Sequence, residues 1–426
     1  MRTYPVLENQ RRRYAGYLGG DLSFNAAVVY RIEGDVIAPR LVRAIRTVFD
    51  RHIGLRTRLI ADDPAELRQT AVDTPCEVLL EEVDAELADH HLWEARVDEL
   101  VDMPFDLLAG PVGRGFVVRL RDGVVFGVAV DHACADGYSI GLLTREIAAV
   151  YRGEPLAPVV GDPFACAERQ RDFLASAEAD AGRAHWAGVF QDRPLAEALA
   201  RPVAPFACGD RGNAALAAVT LSAADLRSAC ARHGLTPYLL TVSAVVIALD
   251  AISEEGDVTV LSPYVGRSSA DELDVIAWLA NIVPLRARFD RDAALGEALA
   301  AIKAGVYTAL DEARLPFNLM QQLPGLELPG WHPWAFVDCQ EQASLSFGGV
   351  EATEVDIVSS SARPGLWAVS TVSPDGFTLR LRVPGSPEAV DHLTRIAAVA
   401  RAVLTAAVGG ADAPVATFRR LPSGVS

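Results

Sequence analysis

The sequence predicts an α/β protein built as two large lobes with mixed sheets. Three observations predict it. The chain has 426 residues, more than one ordinary core accommodates. Short β-rich runs alternate with runs of helical periodicity along its whole length. They do so without a repeating strand–helix–strand spacing, so parallel and antiparallel pairs are expected together. A stretch rich in Pro, Ala and Gly, 191–213, divides the alternation in two. The expected parts are a first lobe over 1–175, a connecting helix and linker over 176–214, and a second lobe over 215–426.

The elements follow in order. Residues 26–32 read as a strand. Asp35 is placed to cap a helix over 38–51, where Leu41, Ile45, Val48 and Phe49 recur near helical spacing. Residues 55–59 and 76–83 read as short strands, and 85–100 as a charged helix. Residues 116–120 and 124–130 flank an Arg121-Asp122-Gly123 turn and read as a hairpin. Ser139 opens a helical pattern over 140–151 that Gly153 closes. Residues 162–190 are helical.

In the second lobe Ser222 caps a helix ending at Gly234, and 237–252 forms another. Strands are expected over 258–261, 281–289, 331–338, 368–371 and 377–383. Helices are expected over 295–310 and 390–407.

Composition excludes several functions. The formal net charge of −17 disfavours nucleic acid and anionic membrane as partners. The six cysteines, Cys76, Cys134, Cys166, Cys208, Cys230 and Cys339, are scattered without a Cys-x-x-Cys. That is neither a disulfide framework nor a zinc site. No His or carboxylate pair has metal-ligand spacing, so no metal is expected. The doubled His90-His91 lies on a charged helix and reads as a solvated face. Residues 1–5 lack the apolar core of a signal peptide, and 237–249 is too short to span a bilayer. A cytoplasmic protein is expected.

The chemistry is expected at His132. It sits in Asp131-His132-Ala133-Cys134-Ala135-Asp136-Gly137-Tyr138-Ser139, just past the hairpin's second strand. A strand end is a rigid platform, and an imidazole is the side chain best suited to exchange a proton near neutral pH. Asp136-Gly137 lets the chain turn sharply before the helix. Ser139 reads as the helix N-cap rather than a nucleophile, and Cys134 as a packing residue.

With these residues in view, the chain resembles the condensation-domain family of non-ribosomal peptide synthesis, which shares its architecture with chloramphenicol acetyltransferase. The resemblance rests on several segments in order, from Pro5 to about Pro422. Pro5, Gln10, Arg12 and Tyr14 are similar to the opening Pro…Ala-Gln-x-Arg-x-Trp. Arg51-His52-Ile53-Gly54-Leu55-Arg56-Thr57-Arg58-Leu59 is similar to Arg-His-Glu-x-Leu-Arg-Thr-x-Phe. Phe105-Asp106-Leu107, Gly110-Pro111 and Arg114 resemble the strand entry before the active motif, and His185-Trp186 resembles a Tyr-Trp before the linker. Gly266-Arg267 and Ile276-Ala277-Trp278-Leu279-Ala280-Asn281 resemble Gly-Arg…Ile-Gly-x-Phe-x-Asn, and Leu315-Pro316-Phe317 resembles Val-Pro-Phe. Two departures stand out. Asp131 replaces the first of two adjacent histidines, and Pro163 stands where an Asp is common.

The resemblance implies a V-shaped pseudo-dimer of two chloramphenicol acetyltransferase-like lobes, with a substrate tunnel at their junction. It implies an acyltransferase that joins a thioester donor to an amine or hydroxyl acceptor. The donor would ride on the phosphopantetheine of a carrier protein in trans, or on coenzyme A, with no other cofactor. No carrier serine motif is found, so a free-standing enzyme is expected. His132, Asp136 and Gly137 would be catalytic, with Gly137 backbone near the oxyanion. Arg56, with Arg58 as fallback, would pair with Asp136; Arg56 and Asp131 would support the motif. Tyr138, Asn281 and Arg267 would line the tunnel, although a strand-end amide and a solvated turn charge are the alternatives for the last two. Arg11, Arg12 and Arg13 would either meet an acidic carrier protein or form a solvated turn. A recruitment module that has lost catalysis, and an epimerase, are the competing functions.

Overall fold

The structure is a computed structural model describing residues 2–62, 66–206, 210–329, 332–342, 344–355, 365–410 and 412–420. Cys208, Trp331 and Pro422 lie outside the described residues, as do the side chains at 210–213 and 419–420. The chain divides into two compact units.

The first unit is built on a six-stranded mixed sheet. Its strands run in the order Leu345–Phe347, Val350–Glu354, Asn25–Glu33, Gly123–Asp131, Gly113–Arg119, Glu77–Glu82. All neighbours are antiparallel except the last pair, which is parallel. Gly123–Asp131 is buried along its whole length. A strand covered on both faces needs a near-continuous apolar run, and Val124-Val125-Phe126-Gly127-Val128-Ala129-Val130 supplies one.

Helices Ala38–Arg51 and Gly137–Arg152 cover one face. Their Leu41, Ile45, Val48, Leu143 and Ile147 pack in one core with Val28, Phe126 and Val128. Helix His90–Asp102 covers the other, with Trp93, Val97 and Leu100 packed with Val29, Phe116 and Val125. A small separate sheet, Tyr4–Pro5, Arg68–Ala71 and Thr57–Ile60, belongs to the same unit.

The second unit has its own six-stranded mixed sheet. The order is Asn281–Arg288, Asp257–Tyr264, Trp334–Glu341, Gly365–Ser373, Gly376–Gly385, Asp210–Ser222. Trp334–Glu341 is parallel to both neighbours, and the other pairs are antiparallel. Helices Ala223–His233, Pro237–Ser253 and Pro387–Gly409 pack together in this unit. Ser222 caps the first through its side chain, and Gly234 ends it at φ 60°. Pro237–Ser253 is a core helix, buried from Leu239 to Ala251. Among the described residues no single helix is long and apolar enough to cross a membrane.

Most elements fall where periodicity places them, and the differences have local causes. Helix Ala38–Arg51 is not capped by Asp35; its N-cap position is Ile37, with Pro in the first turn, where the missing amide costs nothing. The charged helix starts at His90 rather than 85, because Asp122 takes the Leu87 amide into a turn.

Against continuous lobes over 1–175 and 215–426, the units are discontinuous. The first runs Met1–Ala179 and also takes in Val265–Ala280 and the described part of Ala343–Ser359; the second begins at Asp180.

Candidate active site

His132 follows the last residue of the central strand, and its N–H donates to the Phe24 carbonyl at 2.8 Å. Its imidazole is half-buried and meets two rings. Phe24 stacks on it with centroids 4.9 Å apart and 15° between planes. Trp278 lies 4.0 Å away at 38°. Phe24 and Trp278 are themselves 6.0 Å apart, so the three rings form a triangle. Burial holds the imidazole down at about 4, and the nearby Asp136 charge and the carbonyls of His132 and Ala135 offset this only in part. The ring is therefore neutral at pH 7 and can accept a proton or a hydrogen bond.

Asp136 is buried beneath the start of helix Gly137–Arg152. It is the N-cap: Oδ1 accepts the Ser139 N–H at 2.9 Å and the Ser139 hydroxyl at 2.8 Å. Ser139, expected as the cap, is thus the capped residue. Oδ2 accepts the Leu279 and Ala280 amides at 3.0 and 2.9 Å.

The expected ion pair with Arg56 is not made. Asp136 pairs with Arg267, whose Nη1 reaches Oδ2 at 2.9 Å and whose Nη2 reaches Oδ1 at 3.1 Å. Arg56 ends the short turn Ile53–Arg56, which leads into the separate small sheet, and its charge falls on the Cys76 thiol. Arg58 donates to the Leu108 carbonyl. Burial alone would raise the Asp136 carboxyl, but the Arg267 charge and hydrogen bonds from Arg267, Ser139 and Ala280 outweigh it and hold it below the usual carboxylate range.

Arg267 therefore lines no channel. Its side chain is closed to solvent, donating also to the Val265 and Val275 carbonyls and the Ser139 hydroxyl. The Tyr138 ring lies 4.1 Å from its guanidinium, and the Tyr138 hydroxyl donates to Leu273. The Val265–Ala280 segment packs too closely for larger residues. A Cβ on Gly266, at φ +68°, would stand 1.9 Å from the Leu279 oxygen, and one on Gly54 would stand 2.1 Å from the Ile276 oxygen.

Asp131 takes a second arginine. Arg13 Nη2 meets its Oδ2 at 2.8 Å and Nε its Oδ1 at 3.1 Å, both side chains buried. Oδ1 also accepts the Ala133 N–H at 2.8 Å. Burial pushes this carboxyl above the usual range, and Arg13's hydrogen bonds and charge work against that. Arg13 thus belongs to no surface patch, which corrects both readings of the arginine run for this residue; Arg11 and Arg12 are exposed, Arg11 beside Glu8.

Gly137 is exposed, and a Cβ there would meet nothing within 4 Å. Cys134 is buried and its thiol is pushed up to about 12, so it is no nucleophile near neutral pH. His52 Nε2 and Arg51 Nε both reach Glu146 Oε2, at 2.8 and 3.0 Å, tying helix Ala38–Arg51 to the helix that starts at Gly137. Asn281 belongs to the second unit. Its amide donates to the Ala313 and Leu315 carbonyls and accepts from Phe317, a bracket for that turn. Among the described residues no cluster of His, Cys, Asp or Glu could hold a metal.

The model of one protein family, the condensation domain, matches residues 1–327. The chain belongs to the condensation-domain family. Gramicidin S synthase 2 of Brevibacillus brevis is 27% identical over an alignment of 339 residues that covers 75% of this chain but 7% of the synthase. This condensation domain thus spans a small part of the relatives it matches. Its fold is that of solved condensation domains. The one from monacolin K polyketide synthase superposes with a TM-score of 0.81 at 22% identity, covering 97% of this chain and 99% of the other. The starter condensation domain of rhizomide synthetase, as a mutant in complex with C8-CoA and Leu-SNAC, gives 0.79 at 19% identity, covering 97% and 96%.

Phe24, Trp278 and Arg13 are site residues that the motif alone does not disclose. The one available signal for Arg13 is its spacing from Gln10, three residues away on one helix face.

Proposed function

We propose that this condensation domain transfers an acyl or aminoacyl group from a carrier-protein thioester to an amine or hydroxyl acceptor, forming an amide or ester in natural-product biosynthesis. The observation that carries this is the neutral imidazole of His132, half-buried and held between Phe24 and Trp278. In this reading His132 takes the proton as the acceptor's nitrogen or oxygen bonds to the thioester carbon. The carbon–sulfur bond breaks, and the proton leaves with the thiolate. Gly137 leaves open space beside the helix start, and its backbone N–H is the candidate donor to the oxyanion. Asp136 and Arg267 hold the loop. The donor arrives in trans on phosphopantetheine, no other cofactor takes part, and the acceptor is a small amine or alcohol. The reaction takes place in the cytoplasm. The C8-CoA and Leu-SNAC complex of the rhizomide relative, an acyl thioester beside an aminoacyl thioester, supports a two-substrate reading.

The test is a product assay by mass spectrometry. Acyl and aminoacyl thioesters, on carrier protein and on coenzyme A, are mixed with pooled amines and alcohols. A new amide or ester that is lost in His132→Ala supports the reading, and the better donor decides between carrier and coenzyme A. A product retained in His132→Ala removes His132 from the chemistry.

A further inference from the structure

Two buried Arg–Asp pairs flank His132, one through the residue before it and one through Asp136. Asp136 and Arg267 hold the segment whose Leu279 and Ala280 amides bind the same carboxylate, and that segment carries Trp278. Asp131 and Arg13 do the equivalent for the other ring. Arg13's remaining donors reach the Asp21 carbonyl at 2.6 Å and the Leu22 carbonyl at 3.1 Å. Two residues on is Phe24, whose carbonyl takes the His132 N–H and whose ring stacks on the imidazole. Each pair tethers one distant segment, and each segment delivers one ring.

The pairs differ in origin. Asp136 and Gly266-Arg267 stand at motif positions of the family. Asp131 stands where the family has its first His, and Arg13 occupies the unspecified position after the arginine of the opening segment. A departure from the pattern therefore meets a residue at a position that the pattern leaves open.

The imidazole needs such help. Its Nδ1 is buried and makes no well-formed hydrogen bond, so the nearby carbonyls of His132 and Ala135 hold the ring only loosely from that side. Packing against Phe24 and Trp278 supplies the rest of what fixes its plane.

We infer that Arg13 and Asp131 are positioning residues that set the plane of the His132 imidazole through the 21–24 segment and the Phe24 ring. This rests on the proposed role of His132 and deepens it. The ion pair does not touch the reacting atoms. It braces the backbone on both sides of His132 and holds the stacking partner in place. A displaced imidazole would meet the acceptor's proton badly, and misplacement by about 1 Å costs up to about a hundredfold in rate.

The experiment compares Arg13→Met, Asp131→Asn, the double variant Arg13→Met/Asp131→Asn, Phe24→Leu, and Arg13→Met combined with Phe24→Leu. Three quantities are read: kcat and KM, thermal unfolding, and the ring signals of His132 in the substrate-free protein labelled with 13C-histidine. The signals are assigned by their loss in His132→Ala. Arg13→Met is expected to lower kcat about ten- to a hundredfold with KM unchanged. It is expected to move the His132 signals in the same direction as Phe24→Leu. Combining it with Phe24→Leu should add little, because both act through one ring. The double charge-removing variant should recover stability over either single, since replacing a whole buried pair is far milder than orphaning one charge. It should not recover kcat.

The inference is overturned if the single variants lose stability but keep kcat and the His132 signals. It is overturned equally if the effects of Arg13→Met and Phe24→Leu multiply. The ring signals need no turnover. If no acyl transfer is found with any substrate, signals that move together still support the positioning role, and unmoved signals still overturn it.

Discussion

The Asp136 carboxylate and the Arg267 guanidinium meet at 2.9 Å across 131 positions of sequence, with both side chains closed to solvent. The carboxylate also binds Ser139, Leu279 and Ala280, so one side chain caps the helix beside His132 and fixes the segment carrying Trp278. A group used this way governs shape more than chemistry.

Asp136→Ala is accordingly expected to destabilise the protein by about 3–5 kcal/mol, the usual cost of leaving one partner of a buried pair uncompensated. Arg267→Ala should cost a similar amount, and the double variant much less than the sum. Arg56→Ala should show no such coupling to Asp136. Urea unfolding of the single and double variants measures all three.

Asp136 also sets a pH dependence. Its folded value lies below that of the unfolded chain, so its contribution is present above about 3.9, the ordinary Asp value, and is lost as pH falls through the depressed folded value. Unfolding of Asp136→Asn measured from pH 5 down to pH 2 should show a shallower loss of stability than the native protein. An equal slope would mean that the carboxylate is not held ionised by Arg267.

For His132 the shift has the same direction but a different cause. Burial holds its imidazole down at about 4, so it stays neutral through the range where a free histidine titrates, near 6.5. The kcat/KM of the proposed transfer should therefore be flat between about pH 5.5 and 7.5 on its acid side, falling only near the depressed value. Asp136 and Arg12 are the charged groups that act on it. An acid limb centred at 6.5 would show an imidazole open to water.

Asn281→Ala removes hydrogen bonds to the Ala313 and Leu315 carbonyls and from the Phe317 amide. A loss of about 1–3 kcal/mol is expected from the orphaned backbone groups. A residue lining the substrate path would raise KM at unchanged stability, and the expected order here is the reverse. Denaturation and steady-state kinetics on the same preparation separate the two.

Local pattern made much of this molecule legible. Helix Ala38–Arg51 has the bounds that Leu41, Ile45, Val48 and Phe49 announce, because an amphipathic stripe is a local property. The hairpin under His132 is legible for the same reason, with its Asp-Gly turn between two β-branched runs. Which arginine meets Asp136 is not local. Arg56 and Arg267 are both followed by strand material or turns, and only the folded path of 265–280 brings one of them under the carboxylate. Arg13 was hidden differently. Three adjacent arginines read as one charged run, yet a helix turns each to its own face, and the Gln10–Arg13 face is the one that goes inside.

Val265–Ala280 connects two paired strands of the second unit, Asp257–Tyr264 and Asn281–Arg288, with Tyr264 opposite Asn281. Yet Arg267 and Trp278 on that connection belong to the first unit. The inheritance of this protein is therefore not divisible at its linker. A recombination event that exchanged the first 179 residues for those of a relative would leave the newcomer's aspartate to find its counter-ion on the old parent's loop. Crossovers that carry the loop along with the motif are the ones expected to yield working chimeras.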